Sequence, residues 1–171
     1  MQNITLIGMP GSGKTTVGQA LAHKLGWDFV DTDALMVAEH GHLQTLIDTR
    51  GAAEFRKLEE RAILSLQNST HMLISPGGSV VYSPTSMAHL KDFSTIIFLN
   101  VPLDVIKSRC DAQSRAIVGL KEKGWERLYA ERGELYKKYA DYEIIPRGGP
   151  PEEDAEQILA EVPIIPQKTP A

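Results

Sequence analysis

A glycine-rich loop near the first residue constrains the fold of this chain most strongly. The stretch GMPGSGKT occupies residues 8–15 and follows the apolar run ITLI at residues 4–7. It has the spacing of a Walker A phosphate-binding loop, which works only where a strand ends and a helix begins. Apolar residues recur at helical spacing over positions 17–25, and Gly26 stands where such a helix would end. The sequence therefore predicts a strand, a nucleotide-binding loop and a helix in that order.

The loop supplies both backbone and side-chain contacts to a bound nucleotide. Its glycines let backbone N–H groups converge on phosphate oxygens, Lys14 reaches the outer phosphates, and the Thr15 hydroxyl meets Mg²⁺. ATP and Mg²⁺ are therefore the expected cofactors. The residues predicted to contact them are Gly11, Ser12, Gly13, Lys14, Thr15 and Thr16.

Length, charge and cysteine content narrow the class of protein. A chain of 171 residues is most simply one domain, here residues 1–162, followed by a proline-rich tail at 163–171. A net charge of −4 argues against a broadly basic nucleic-acid-binding surface but allows a local basic cleft for an anionic small molecule. Cys110 is the only cysteine, and no run reaches the roughly 18 apolar residues of a membrane span. We expect a cytoplasmic, monomeric protein without membrane or nucleic-acid partners.

Short apolar runs alternate with segments of helical periodicity along the chain. This order is typical of βαβ units and predicts an α/β fold with a five-stranded, mostly parallel sheet flanked by helices. Ser83 before Pro84 predicts a helix start, and Pro102 predicts another near Asp104. The predicted strands lie at residues 4–7, 29–30, 72–74, 96–99 and 142–145.

Two stretches interrupt this alternation. Residues 33–66 are longer than a single crossover helix, which predicts a subdomain that closes over an acceptor substrate. Residues 111–124 are polar, contain glycine and carry Arg115, Lys121 and Lys123. A lid over the phosphates is expected here, because phosphoryl transfer needs water excluded and positive charge supplied. An ordinary solvated surface loop is the alternative.

Two aspartates, Asp31 and Asp33, directly follow the second apolar run. They are therefore expected at the carboxyl end of a strand, near the phosphate loop. Residues two apart on an extended chain point the same way, so both carboxylates could face the reaction centre. One of the two is predicted to help hold Mg²⁺ and the other to accept a hydrogen bond from an acceptor hydroxyl and take its proton, with Asp31 as the candidate metal ligand. The alternative is that Asp33 caps the following helix.

Several segments together resemble one enzyme family. They are GMPGSGKT at 8–15, DTD at 31–33, FRKLEE at 55–60, Gly77-Gly78, Arg115, and ERGELY at 131–136. In order and spacing they are similar to the shikimate kinase family over nearly the whole chain to about residue 160. The resemblance implies a nucleoside-monophosphate-kinase-like P-loop fold. It also implies transfer of the γ-phosphate of ATP to the 3-hydroxyl of shikimate, on the route to chorismate and the aromatic amino acids.

The resemblance also assigns roles to individual residues. It places Asp33 at the acceptor hydroxyl, and Arg56 and Arg132 at the substrate carboxylate, to which the planar fork of arginine is suited. The catalytic residues it implies are Lys14, Asp33 and Arg115, the last descending from the lid onto the phosphates. Backbone close to the substrate would come from Gly77 and Gly78, and Arg109 and Arg147 would flank adenine. Pairing of Arg56 with neighbouring glutamates of its own helix is the competing interpretation.

Two departures from the family pattern concern the acceptor. The family usually has three consecutive glycines where this chain has Gly77-Gly78-Ser79, and commonly a proline after the lid arginine where this chain has Ala116. A side chain at position 79 narrows the space for the substrate ring or adds a hydrogen bond to a different acceptor. A kinase of another small hydroxy acid or sugar acid is therefore the main alternative. A nucleoside monophosphate kinase fits less well, because the paired arginines and Gly77-Gly78 match the shikimate kinase pattern better than a base pocket. A GTPase switch fits less well, because the sequence has no Asn-Lys-x-Asp element for reading guanine.

Overall fold

Strands and helices alternate through the computed structural model, which describes residues 3–66, 69–110 and 116–163. The strands are β1 (Ile4–Ile7), β2 (Asp28–Asp31), β3 (Met72–Ser75), β4 (Thr95–Leu99) and β5 (Tyr142–Ile144). The helices are α1 (Lys14–Leu25), α2 (Thr32–His40), α3 (Leu43–Leu64), α4 (Pro84–Phe93), α5 (Leu103–Arg109), α6 (Leu120–Tyr139) and α7 (Pro151–Glu161), with a 3-10 turn at Val80–Tyr82.

The five strands form one sheet in the order β2-β3-β1-β4-β5, and every neighbouring pair is parallel. The α/β fold and the five-stranded sheet are thus confirmed. Because all strands run the same way, their carboxyl ends meet at one edge, where ligands bind in open α/β sheets. β1 lies at the centre of the sheet, so the loop that follows it opens at the middle of this edge.

Helices cover both faces of the sheet, because successive side chains of each strand point to opposite sides. Leu6, Leu73 and Ile97 pack against α1 and α7 on one face. Ile7 and Ile74 belong to the cluster on the other face, which includes residues of α4, α5 and α6. Complete burial of such side chains contributes about 1.5–3 kcal/mol each before the entropic cost of folding.

Close packing of α1 onto the sheet depends on Gly18. A Cβ at this position would lie 2.7 Å from Leu73 Cδ2 and 2.7 Å from a ring carbon of Phe29. The helix can therefore rest directly on β3 and β2. This matters for the site, because β3 separates β2 from β1, and α1 is what brings the phosphate loop near the end of β2.

The segment predicted as a subdomain, residues 33–66, forms most of α2 and all of α3. These helices share a separate apolar cluster that includes Met36, Phe55 and Leu58, together with Val118 from the segment preceding α6. Within α3 the backbone of Gly51 is not helical (φ 81°, ψ 162°), which divides the helix at that point. α3 ends at Leu64, two residues before the predicted end of the subdomain. Closure over a substrate stays a prediction.

Local signals set several helix ends. Gly26 ends α1 in the left-handed conformation (φ 72°), and Ser83 Oγ accepts a hydrogen bond from Ser86 N at 3.0 Å with Pro84 as the first residue of α4. None of the helices in the described ranges combines the length and apolar character that crossing a bilayer requires. Apart from Pro163, the predicted tail lies outside the described residues.

Candidate active site

A cavity of about 600 Å³ opens at the carboxyl edge of the sheet. It brings together most of the residues that the sequence predicted for the site. They are Gly11, Ser12, Gly13, Lys14, Thr15, Thr16, Asp31, Asp33, Gly77, Gly78, Arg109 and Arg132. Arg56 and Arg147 do not line this cavity, and Arg115 lies outside the described residues.

The phosphate loop forms a tight turn at the amino end of α1. Ser12 N donates to Met9 O at 3.1 Å, and Gly13 begins the helix with a left-handed backbone (φ 92°, ψ 9°) that favours glycine. Lys14 is buried, and its Nζ donates to Gly8 O at 2.9 Å and to Met9 O at 3.0 Å. The lysine is thereby held across the loop, beside the N–H groups at the start of α1 that can receive phosphate oxygens.

Thr15 and Asp31 are adjacent in the cavity. Thr15 Oγ1 donates to Asp31 Oδ2 at 3.3 Å, although β3 lies between the two parent strands. A hydroxyl and a carboxylate are oxygen ligands of the kind that Mg²⁺ prefers. No cluster of three or more His, Cys, Asp or Glu side chains suited to a metal occurs among the described residues. Mg²⁺ is commonly bound by only one or two protein oxygens, with water and phosphate oxygens as its other ligands. The residues present therefore fit this ion.

Asp31, and not Asp33, caps the helix that follows β2. Asp31 Oδ1 accepts hydrogen bonds from Asp33 N at 2.9 Å and from Ala34 N at 3.2 Å. The alternative interpretation, in which Asp33 caps this helix, is therefore wrong. The expected extended geometry is also wrong, because α2 already begins at Thr32 and Asp33 lies in its first turn. Both carboxylates nevertheless line the cavity, since the cap holds the first turn of α2 at this edge.

The backbone at residues 77–78 is enclosed by site side chains. A Cβ on Gly77 would collide with Glu59 Oε1 and lie 2.7 Å from Asp33 Oδ1, and one on Gly78 would lie 3.1 Å from Arg132 Nη1. Tyr136 OH donates to Gly78 O at 2.6 Å and holds this backbone in place. Only glycine allows the two acids and the arginine to approach so closely.

Glu59 is a site residue that the sequence reasoning did not single out. Its side chain is only 2% exposed, and its Oε2 accepts a hydrogen bond from Ser79 Oγ at 2.6 Å. Burial raises the pKa of this carboxyl to about 7, against the opposing effect of the Ser79 hydrogen bond. Asp33 raises this pKa further, whereas Arg132 and Arg56 lower it. Its position between Phe55, Leu58 and Ile63 on an apolar helical face was the sequence signal, because an acid there must be buried.

This carboxyl gives stability a defined pH dependence. The folded protein holds the Glu59 proton up to about pH 7, whereas an unfolded glutamate loses it near 4.5. The contribution of Glu59 to the unfolding free energy is therefore greatest below 4.5 and falls by about 3 kcal/mol as pH rises to 7. In denaturant titrations, we expect the unfolding free energy of Glu59→Gln to increase relative to that of wild type as pH rises from 5 to 8. An unchanged difference across that range contradicts the assignment, and exposed Glu134→Gln is the control.

The two predicted carboxylate-binding arginines differ in environment. Arg132 is 1% exposed and donates through Nη2 to Val118 O at 2.7 Å. Arg56 is half-buried and lines an adjoining cavity of about 180 Å³ that shares Glu59 and Ser79 with the larger one. Within the described part of the chain, the Nε atoms of both arginines are buried and make no hydrogen bond. Arg56 also forms no ion pair with described glutamates of α3, so the competing interpretation of helical pairing is not supported.

The end of the cavity beyond Thr16 contains Arg109, Gly149, Pro151 and Asp154. Asp154 is 6% exposed, and burial raises its pKa. Arg147 instead lies on the surface, where its Nη2 is 3.6 Å from Glu161 Oε1. Of the two arginines predicted to flank adenine, only Arg109 lines the cavity.

Comparisons with known proteins agree with this arrangement. The family model described as shikimate kinase matches residues 10–163. A shikimate kinase of Persephonella marina is 34% identical over 164 residues, which are 95% of this chain and 99% of that protein. The structure of the Acinetobacter baumannii shikimate kinase in complex with shikimate superimposes with a TM-score of 0.85 at 28% identity, covering 93% of this chain and 91% of that one.

A second solved structure agrees. The Aquifex aeolicus shikimate kinase superimposes with a TM-score of 0.80 at 31% identity, covering 93% of this chain and 95% of that one. The matched residues include the phosphate loop from Pro10 onward, both aspartates, and the residues that enclose Gly77 and Gly78. The chain therefore belongs to the shikimate kinase family of P-loop small-molecule kinases.

Proposed function

We propose that this protein transfers the γ-phosphate of ATP to the 3-hydroxyl of shikimate. The observation that carries the proposal is the shared cavity of Lys14, Asp33 and Arg132. A phosphate-binding lysine, an acid that can accept a hydroxyl proton and a buried guanidinium that can hold a carboxylate are the groups that this reaction requires.

The nucleotide end of the proposed site rests on the phosphate loop and Asp31. Lys14 would draw charge from the β- and γ-phosphates, and Arg115 is proposed to approach the same phosphates from the lid. Thr15 and Asp31 would hold Mg²⁺, which when bound neutralises charge that develops on the phosphates. Their adjacency at 3.3 Å supports this role. Arg109 and Thr16 would contact the rest of the nucleotide.

The acceptor end rests on Asp33, Arg56 and Arg132. Asp33 accepts the hydrogen bond of the attacking hydroxyl and receives its proton, while the arginines hold the substrate carboxylate at the opposite side of the ring. Gly77 and Gly78 allow the ring to approach the backbone. Positioning and electrostatics then provide most of the rate, because phosphoryl transfer needs little covalent participation by the protein.

Ser79 bears on the identity of the acceptor. Its hydroxyl is 5% exposed and donates to Glu59 within the protein, at 2.6 Å. Its one O–H is therefore committed to Glu59 and is not available to donate to an additional substrate group. This supports shikimate over another hydroxy acid.

The segment preceding α6 supports a lid at residues 111–124. Ile117 and Val118 are buried and line the cavity, whereas Gly119 (φ 82°) and Gly124 (φ 71°, ψ 169°) interrupt helical geometry on either side of the first turn of α6. We propose that this part anchors the lid. Because one chain supplies every proposed site residue, we also propose a monomer, and the single buried thiol of Cys110 suits a reducing cytoplasm.

The test is ADP release by the purified protein with Mg-ATP and a panel of acceptors. Shikimate, gluconate, homoserine, a nucleoside monophosphate and no acceptor are compared at matched concentrations. We expect strong release only with shikimate. Release that depends on gluconate or homoserine instead contradicts the proposed substrate, and release that depends on none of them contradicts the proposed reaction.

A further inference from the structure

Three cationic side chains surround the ring of Tyr82, which ends the 3-10 turn Val80–Tyr82. The guanidinium carbon of Arg56 lies 4.8 Å from the ring centroid, and that of Arg132 lies 5.4 Å from it. Lys123 Nζ lies 5.6 Å from the same centroid. All three distances are within the range of cation–π attraction. The cations come from two helices, α3 and α6, so the ring joins both to the turn that follows Gly77 and Gly78.

The hydroxyl of Tyr82 is fixed as well. Tyr82 OH donates to Glu131 Oε1 at 2.6 Å, and Glu131 also accepts hydrogen bonds from Lys123 Nζ at 2.6 and 2.7 Å. Burial and the Glu131 hydrogen bond raise the pKa of the Tyr82 phenol, so it remains a donor at neutral pH. The Lys123 and Tyr82 hydrogen bonds lower the pKa of Glu131, which keeps this carboxyl ionised. The ring therefore has a defined position and orientation.

Electrostatics explains why such a ring is needed. Arg56 and Arg132 carry like charges and approach one ring from two helices, so they repel each other. The Glu59 carboxyl interacts with both, but its pKa of about 7 keeps it partly protonated at neutral pH, so it offsets this repulsion only in part. The negative face of an aromatic ring attracts both without neutralising either. Carboxylates that paired fully with these guanidiniums would instead compete with an anionic ligand. Glu131 binds Lys123 rather than the arginines, which leaves the arginines available.

We propose that Tyr82 is a positioning residue that holds Arg56 and Arg132 as one preformed carboxylate-binding pair. The proposal rests on the acceptor role given above to these arginines. In this proposal the aromatic face of Tyr82 positions the arginines, and the contacts with Glu131 and Lys123 fix the orientation of the ring. Tyr82 lines the adjoining cavity together with Arg56 and does not line the main one. The proposal gives Tyr82 no contact with the reacting atoms, and its effect is exerted through the arginines.

Two kinds of substitution separate the ring from the hydroxyl. Tyr82→Phe keeps the aromatic face and removes the hydroxyl's bond to Glu131 and its interaction with Arg132. Tyr82→Leu and Tyr82→Met remove the face and retain apolar volume. We expect the shikimate KM to rise about tenfold in the Leu and Met variants and less than threefold in the Phe variant. The kcat and the ATP KM stay within twofold of wild type, because a preformed pair affects acceptor binding alone.

Tyr139→Leu is the matched control. Tyr139 is also a partly buried aromatic residue, and Lys138 Nζ lies 5.1 Å from its ring centroid, but Tyr139 lines neither cavity. This variant is expected to keep the wild-type shikimate KM even if its unfolding temperature falls. The unfolding temperature of every variant is measured together with its kinetics. If Tyr82→Leu does not fold, Tyr82→Met provides the test of the aromatic face.

The outcomes distinguish this proposal from the proposed function. Wild-type protein without shikimate-dependent turnover contradicts the function itself. Wild-type turnover with an unchanged shikimate KM in both Tyr82→Leu and Tyr82→Met contradicts the role of Tyr82 only. An equal rise in the Phe variant also overturns it, because the hydroxyl and not the aromatic face would then hold the arginines.

Discussion

Asp33→Asn is expected to lower kcat by about two to four orders of magnitude, the range by which a positioned general base accelerates a reaction. Asparagine is nearly the same size but cannot take the proton of the acceptor hydroxyl. The backbone N–H of Asp33 donates to Asp31 Oδ1, so the first turn of α2 is held by a contact that the substitution leaves in place. Binding of Mg-ATP should therefore survive.

Turnover and nucleotide affinity are measured separately to check this expectation. Steady-state ADP release gives kcat, and titration calorimetry with a non-hydrolysable ATP analogue gives the nucleotide Kd. Asp92→Asn, at an exposed position of α4, is the matched control and should behave as wild type. An Asp33→Asn variant with near wild-type kcat removes Asp33 from its proposed role.

Arg132→Lys is expected to raise the shikimate KM by about 10- to 100-fold with a smaller change in kcat. A lysine keeps the charge but has no planar fork, so the two parallel hydrogen bonds to a carboxylate cannot both form. Loss of a hydrogen bond to a charged group costs about 1.5–3 kcal/mol, which corresponds to that range of affinity. The bond from Arg132 Nη2 to Val118 O is lost as well.

The control for this variant lies on the same helix. Arg127→Lys changes an exposed arginine of α6 and should leave the shikimate KM unchanged. Thermal unfolding of both variants separates a binding effect from general destabilisation, because Arg132 is buried. A shikimate KM in the Arg132→Lys variant equal to that of Arg127→Lys contradicts the carboxylate assignment.

Much of the fold follows from local patterns in the sequence. Apolar runs mark all five strands, Gly26 and Ser83 mark helix ends, and residues 8–15 mark the phosphate loop. These features depend on neighbours within a few residues, which a single sequence displays directly. The strand order is different, because the position of β3 between β1 and β2 depends on pairing between residues far apart in the sequence.

The site shows the same division between local and long-range information. Asp31 and Asp33 were placed in the site from their position after a strand, but which of them caps α2 depends on where that helix begins. The neighbours of Glu59 include Ser79, which is 20 residues away, and the neighbours of Tyr82 include Glu131, which is 49 residues away. The spacing of apolar residues along helices and strands does not indicate contacts between residues so far apart in the sequence. Arg147 was expected near adenine from its position in the sequence, but it lies on the surface beside Glu161.

The most direct test of the proposed function is identification of the product that purified protein forms from shikimate and Mg-ATP. Phosphorus NMR and mass spectrometry of the reaction mixture give the site and the number of phosphoryl groups transferred, and coupled assay gives ADP. We expect one molecule of shikimate 3-phosphate for each ADP released. ADP without phosphorylated shikimate, or a phosphate on a different hydroxyl, would contradict it.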